Sequence, residues 1–177
     1  MSKKVEKLNF FWGGGKILAG FAALSLFSIA PACAQSANAL LEKGIDYYGQ
    51  GGHLEDSLAT YNKLINRFSN SEDPEAQEDV AKALYNKGVV LVTLHRYKEA
   101  LETCDELLRR YGDAQDPSLQ RDVANALYSK GNILYQLLDK HKEAKTVFRD
   151  IATRFSGTID PQIENVVHKA KIYLVIH

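Results

Sequence analysis

A repeated unit of 43 or 44 residues constrains the fold of this chain more than any other feature. The motif Ala-Leu-Tyr-x-Lys-Gly ends at Gly88 and again at Gly131, and a related motif ends at Gly44, so these glycines lie 44 and 43 residues apart. Such a period is typical of arrays in which each copy is one supersecondary unit that packs on its neighbours. Further markers in the same register are Ser57, Ala100 and Ala144; Phe68, Tyr111 and Phe155; and Pro74, Pro117 and Pro161.

Each copy predicts two α-helices. The pair Asp73-Pro74 and its counterparts mark helix starts, because Asp caps free backbone N–H groups and Pro is tolerated at the first helical position. From Pro74, apolar residues recur with a helical period to about Leu94. After a turn at His95-Arg96, a second apolar stripe follows from Tyr97 to Tyr111. The sequence therefore predicts an all-α array of helical hairpins.

The repeat markers divide the chain into five segments. We expect a signal peptide, three repeats, and a last helix that begins an incomplete fourth repeat. These segments span 1–34, 35–73, 74–116, 117–160 and 161–177.

The first 34 residues have the order of a secretory signal peptide. Four lysines within the first 16 residues precede an uncharged stretch from Ile17 to Ala30, and Ala32-Cys33-Ala34 follows as a small-x-small cleavage site. Fourteen apolar residues are fewer than the ~20 that span a bilayer. We therefore expect cleavage after Ala34 and a periplasmic location in a bacterium. The alternatives are an uncleaved segment that anchors the chain in the inner membrane, and a lipid-modified Cys33.

Charge and chemistry-bearing residues favour neither nucleic-acid binding nor catalysis. Lys and Arg total 22 against 22 Asp and Glu, so no basic excess points to nucleic acid. Two cysteines are too few for a disulfide framework, and no HExxH pair exists for zinc. Cys104 falls on an apolar stripe, which indicates a packing thiol. We expect no enzyme, no catalytic or metal-ligating residue and no cofactor.

The repeated residues resemble the tetratricopeptide repeat over about residues 36–176. The shared pattern is Leu-Tyr-x-Lys-Gly, then a small residue, an aromatic residue four positions later, and a closing aromatic residue. The chain departs from the usual 34-residue unit in length, and Cys104 replaces the aromatic residue that Tyr61 and Phe148 supply in the sister copies. The resemblance implies a solenoid that winds as a right-handed superhelix, with the extra residues in each first helix.

The resemblance also implies that the first helices line a concave groove that binds a peptide or protein segment. The alternative for some groove positions, Val89 and Val92 above all, is packing against the neighbouring repeat. The candidate groove residues are Asn38, Leu41, Ile45, Tyr48, Lys82, Tyr85, Val89, Val92, Thr93, Asn125, Tyr128, Asn132, Tyr135 and Gln136.

Two packing expectations follow from the repeat register. We expect Gly88 and Ala100 to face each other in one hairpin and to exclude larger side chains, because overpacking a core costs ~1–3 kcal/mol. We also expect a cavity or a compensating neighbour at Cys104, because the sister copies place a ring there.

The predicted function is a non-enzymatic protein-interaction scaffold in the bacterial cell envelope. The alternative is a structural assembly subunit that self-associates through its repeat ends. The segment 172–176 supplies five consecutive apolar residues with no second helix after it. Exposed apolar surface usually marks a partner. We therefore expect either self-association through the C-terminal helix or a shortened form of a longer array.

Overall fold

The computed structural model describes residues 35–176, and within them the chain forms seven α-helices and no strand. This confirms the predicted all-α solenoid of helical hairpins. The signal-peptide prediction and Cys33 lie outside the described residues. The helices are α1 (Ala37–Gly49), α2 (Leu54–Phe68), α3 (Pro74–Thr93), α4 (Tyr97–Tyr111), α5 (Pro117–Asn132), α6 (His141–Arg154) and α7 (Pro161–Ile176). A π-helical segment, Ile133–Leu137, continues α5.

Polar side chains cap the first helix of each hairpin. The carboxylates of Asp73, Asp116 and Asp160 each accept a hydrogen bond from the backbone N–H two residues on, at 3.1, 2.8 and 2.8 Å. The Ser36 hydroxyl oxygen accepts one from the N–H of Ala39 at 3.1 Å. A cap of this kind satisfies backbone donors that have no partner inside the helix. The predicted Asp-Pro helix starts are therefore confirmed.

The turn inside each hairpin uses one left-handed residue, which lies seven or eight residues after the repeated glycine. Gly51, His95 and Asp139 have φ of 69, 58 and 55°. This conformation costs glycine little and other residues more. At the two non-glycine turns a side-chain contact closes the loop: His95 is hydrogen-bonded to the Tyr97 hydroxyl at 2.6 Å, and Asp139 pairs with His141 at 2.6 Å.

The hairpins stack so that their first helices form one continuous layer. Besides the contacts within each hairpin, α1 packs on α3, α3 on α5, and α5 on α7, and each second helix packs on the next first helix. A single apolar core runs through all the repeats, with Leu40, Leu84 and Ile151 almost fully buried. Stability therefore resides in the interfaces between repeats as well as within each hairpin.

Two of the three repeated glycines, Gly44 and Gly131, pack against an aromatic ring of the second helix. A Cβ built on Gly44 or Gly131 would collide with the ring of Tyr61 or Phe148. At Gly88 the nearest atom would be Cys104 Sγ at 4.0 Å. A Cβ at Gly88 therefore meets no clash, so alanine fits there, and the expectation that side chains larger than alanine are excluded stays a prediction.

Candidate partner-binding surface

An apolar opening on the first helices lies between the second and third repeats. It is a cavity of about 330 Å³, which we name the Cys104 cavity. Its buried floor consists of Leu84, Gly88, Cys104, Leu107, Ala126 and Ile133. Its more accessible rim consists of Tyr85, Val89, Val92, Thr93, Ser129, Asn132, Gln136 and Leu137.

The cavity exists because the second repeat lacks a ring. In the first and third repeats, the rings of Tyr61 and Phe148 are each 1% exposed and pack on the glycine of their own hairpin. The corresponding side chain of the second repeat is the thiol of Cys104, which is far smaller. The predicted cavity at Cys104 is confirmed.

The Cys104 thiol is a packing group. It is 6% exposed and forms no disulfide within residues 35–176. Burial, reinforced by the nearby charge of Asp105, raises the pKa of this thiol to about 12. A thiol with such a pKa stays protonated near neutral pH and is a poor nucleophile.

Six of the predicted groove residues come together around the Cys104 cavity. They are Tyr85, Val89, Val92, Thr93, Asn132 and Gln136. The Tyr85 side chain reaches across from α3 to interact with Ser129 of α5, and burial raises the pKa of its hydroxyl. The rim therefore contains amide and hydroxyl groups above an apolar floor.

A second and smaller cavity extends this surface toward the first repeat. Its volume is about 180 Å³, and Ile45, Tyr48, Asn86 and Val89 line it together with the edge of Tyr61. Ile45 and Tyr48 are 41% and 39% exposed. Because Val89 borders both cavities, the two openings lie side by side on the layer of first helices. We call the two cavities and their rims the first-helix surface.

Two predicted residues of α1 lie apart from these cavities. Leu41 is only 4% exposed and belongs to the core, so its prediction as a groove residue is wrong. Leu41 is part of the apolar core, and α1 packs against both α2 and α3. Asn38 is exposed at the start of α1.

Tyr128 and Tyr135 lie in an aromatic cluster beside α7. The centroid of Tyr128 lies 5.9 Å from that of Phe148, and Tyr135 lies 4.7 Å from Tyr173 of α7. Phe148 and Tyr173 are 4.1 Å apart. Both predicted groove tyrosines are half-buried and take part in the packing of the third repeat against α7.

A band of charged groups crosses the first turns of α3, α5 and α7. Glu78 accepts hydrogen bonds from Lys82 at 2.6 Å and from the Ser118 hydroxyl at 2.5 Å. Arg121 pairs with Asp160 at 2.6 Å. The predicted groove residue Lys82 therefore pairs within α3 with Glu78, and it is Glu78 that bonds to the next repeat. Asn125 lies half-buried further along α5.

Asp122 is the member of this band whose hydrogen bonding is least complete. Its buried Oδ2 accepts no hydrogen bond from the described residues. Burial raises the pKa of this carboxyl to about 6, while Lys82 and Arg121 act to lower the pKa and Glu78 acts to raise it. Sequence reasoning missed this group, although acids recur at the same repeat position in Asp79 and Asp122.

Neither a metal centre nor a membrane span is found in the part of the chain that the structure describes. No group of three or more His, Cys, Asp or Glu side chains between residues 35 and 176 is placed to hold a metal ion. None of the helices in that range combines the length and the apolar character needed to cross a bilayer.

The stacked hairpins define a helical-repeat protein of the solenoid class. Residues 38–71, which cover α2 and all but the first residue of α1, match the family model described as the tetratricopeptide repeat, and this match supports a tetratricopeptide-repeat protein. Comparison with curated proteins and with solved structures finds no match.

Proposed function

We propose that this tetratricopeptide-repeat protein binds a segment of another protein on its first-helix surface. Tetratricopeptide repeats generally mediate protein–protein interaction, and the family is generally a non-enzymatic fold. The observation that carries the proposal is the Cys104 cavity, an apolar opening of about 330 Å³ bordered by amide and hydroxyl groups.

The chemistry of the surface suits an extended polypeptide. Amide side chains such as Asn132 and Gln136 can both donate to and accept from a peptide backbone. Tyrosines such as Tyr48 offer a large contact area with a polar end. The mechanism we propose is presentation of a preformed surface, without any chemical step.

We further propose that this binding takes place in the bacterial cell envelope. The lysine-rich start, the apolar stretch from Ile17 to Ala30 and the small residues before Gln35 support export. The compact helical unit begins at Ser36, so removal of residues 1–34 would leave it whole. N-terminal sequencing of the exported protein tests this: a start at Gln35 is expected, and a retained Trp12 would contradict cleavage.

Site-specific photo-crosslinking tests the proposed function. A photo-reactive residue at Gln136, on the rim of the Cys104 cavity, should yield a discrete adduct with one other protein in living cells. The matched control places the same residue at Glu102, on the exposed side of α4, and should yield none. No adduct at Gln136, or the same adducts at both positions, would contradict the proposal.

A second candidate function is a structural subunit that assembles through its C-terminal end. The end of α7 exposes Ile172, Val175 and Ile176, at 43%, 86% and 67%. Tyr173 and Leu174 instead pack against the core. Exposed apolar surface of this kind usually marks an interaction with a partner.

A further inference from the structure

We propose that the Cys104 cavity binds an aromatic side chain of the partner segment. This inference rests on the proposed function and adds the identity of the anchoring group. The partner ring would occupy in the second repeat the place that each neighbouring repeat fills with a ring of its own.

The internal comparison of the three repeats supports an aromatic occupant. Tyr61 packs on Gly44 and Phe148 packs on Gly131, so closely that an added Cβ would lie 2.8 and 2.7 Å from ring atoms. In the second repeat a Cβ on Gly88 would have 4.0 Å of clearance from the sulfur of Cys104. The space between the repeated glycine and the second helix is thus filled by a ring in the first and third repeats and is open in the second repeat.

The size of the opening suits a ring. An apolar cavity of about 150 Å³ is large enough to bind benzene. The Cys104 cavity, at about 330 Å³, has room for a benzyl or phenol group and for part of the backbone that carries it. Its floor is apolar, and residues such as Leu84, Leu107 and Ile133 are at most 3% exposed.

The charge of the lining favours a neutral group. None of the described residues that line the cavity carries a formal charge. A charged side chain would lose its hydration there without gaining a partner, which is costly. At the rim, Thr93, Ser129 and Asn132 can hydrogen-bond to the backbone on either side of the ring. The occupant we infer is therefore phenylalanine or tyrosine within an extended segment.

A methyl NMR titration of the full chain with N-acetyl-L-phenylalanine amide tests the inference. Saturable shifts are expected at Leu84 and Ile133, and N-acetylglycine amide should produce none. Cys104→Phe should fill the cavity and weaken probe binding by about tenfold or more, as loss of an anchoring contact does. Glu102→Phe, which adds the same ring on the exposed side of α4, should leave probe binding unchanged.

The outcomes separate this inference from the proposed function. Absence of saturable shifts, or equal binding by the Cys104→Phe variant, overturns the aromatic site. A partner that crosslinks at Gln136 equally well in the wild type and in the Cys104→Phe variant also overturns it, while the proposed function stands. If Cys104→Phe abolishes both probe binding and the partner adduct, the result supports both the aromatic site and the proposed function.

Discussion

Gly44 lies so close to the ring of Tyr61 that an added Cβ would fall 2.8 Å from Cδ1. Gly131 has the same relationship with Phe148, at 2.7 Å from the ring. Gly88 occupies the same repeat position, yet its nearest atom would be Cys104 Sγ at 4.0 Å. Three glycines at equivalent repeat positions therefore differ in whether the structure has room for a Cβ atom there.

Alanine substitutions at these glycines should change stability in opposite directions. We expect Gly44→Ala and Gly131→Ala to lower the free energy of unfolding by ~1–3 kcal/mol, because each overpacks a buried ring. Gly88→Ala should raise it by roughly 0.5–1 kcal/mol, because glycine in a helix interior is less favourable than alanine. Urea unfolding followed by circular dichroism measures all three. If Gly88→Ala lowers the free energy of unfolding as much as Gly44→Ala and Gly131→Ala do, the open space beside Gly88 is contradicted.

The reactivity of Cys104 should reflect its buried, protonated state. With a pKa of about 12 against an ordinary value near 9, its thiolate fraction at pH 8 falls by about a thousandfold. We expect iodoacetamide to modify Cys104 far more slowly in the folded chain than in urea, as followed by mass spectrometry of the peptide that contains it. Equal rates in the two states would show an accessible thiolate.

The pKa of Asp122 predicts how stability depends on pH. Because its folded-state pKa of about 6 exceeds the ordinary unfolded value of ~3.9, the folded state binds more protons between these values. Stability from this group therefore falls as pH rises from about 4 to 6, and the full penalty persists above pH 6.

Replacing Asp122 by asparagine should remove that penalty. At pH 7.5 we expect Asp122→Asn to be more stable than the wild type by roughly 1–3 kcal/mol, and at pH 4 the advantage should largely vanish. Chemical denaturation at both pH values measures it. The quantity to compare is the difference in stability between the two proteins at each pH, because the paired Glu78 and Asp160 titrate in both proteins and their effect cancels in that difference. If Asp122→Asn is more stable than the wild type by the same amount at both pH values, the raised pKa of the buried Asp122 carboxyl is contradicted.

The exposed end of α7 predicts self-association. Val175→Lys combined with Ile176→Lys should keep the protein monomeric at concentrations at which the wild type associates, because charge opposes burial of that surface. Ile159→Lys is the matched control, since Ile159 is 98% exposed in the loop before α7. Sedimentation velocity over a range of concentrations gives the comparison. A wild type that stays monomeric throughout would contradict the second candidate function.

The fold was predictable because its signals are local and repeated. The Asp-Pro pairs define helix starts by capping chemistry, and the apolar period placed the end of α3 within a residue of Thr93. The π-helical segment Ile133–Leu137 was not predicted, since its residues have the same apolar pattern as an ordinary helix.

The candidate site was predictable only in part, because it depends on which helix covers which residue. Offsets from each glycine correctly brought Tyr85 and Asn132 to one opening. The same offsets could not show that Leu41 turns into the core or that α7 packs against Tyr135. The buried carboxyl of Asp122 was missed for the same reason, since its burial depends on the stacking of neighbouring first helices.

The affinity of the partner segment recovered at Gln136 tests the account most directly. Calorimetry would compare its dissociation constants for the wild type, Cys104→Phe and Glu102→Phe. The account predicts that Cys104→Phe binds about tenfold more weakly or worse, without loss of thermal stability, and that Glu102→Phe binds as the wild type does. Equal affinity for the wild type and Cys104→Phe would contradict the claim that the missing ring of the second repeat is where the partner binds.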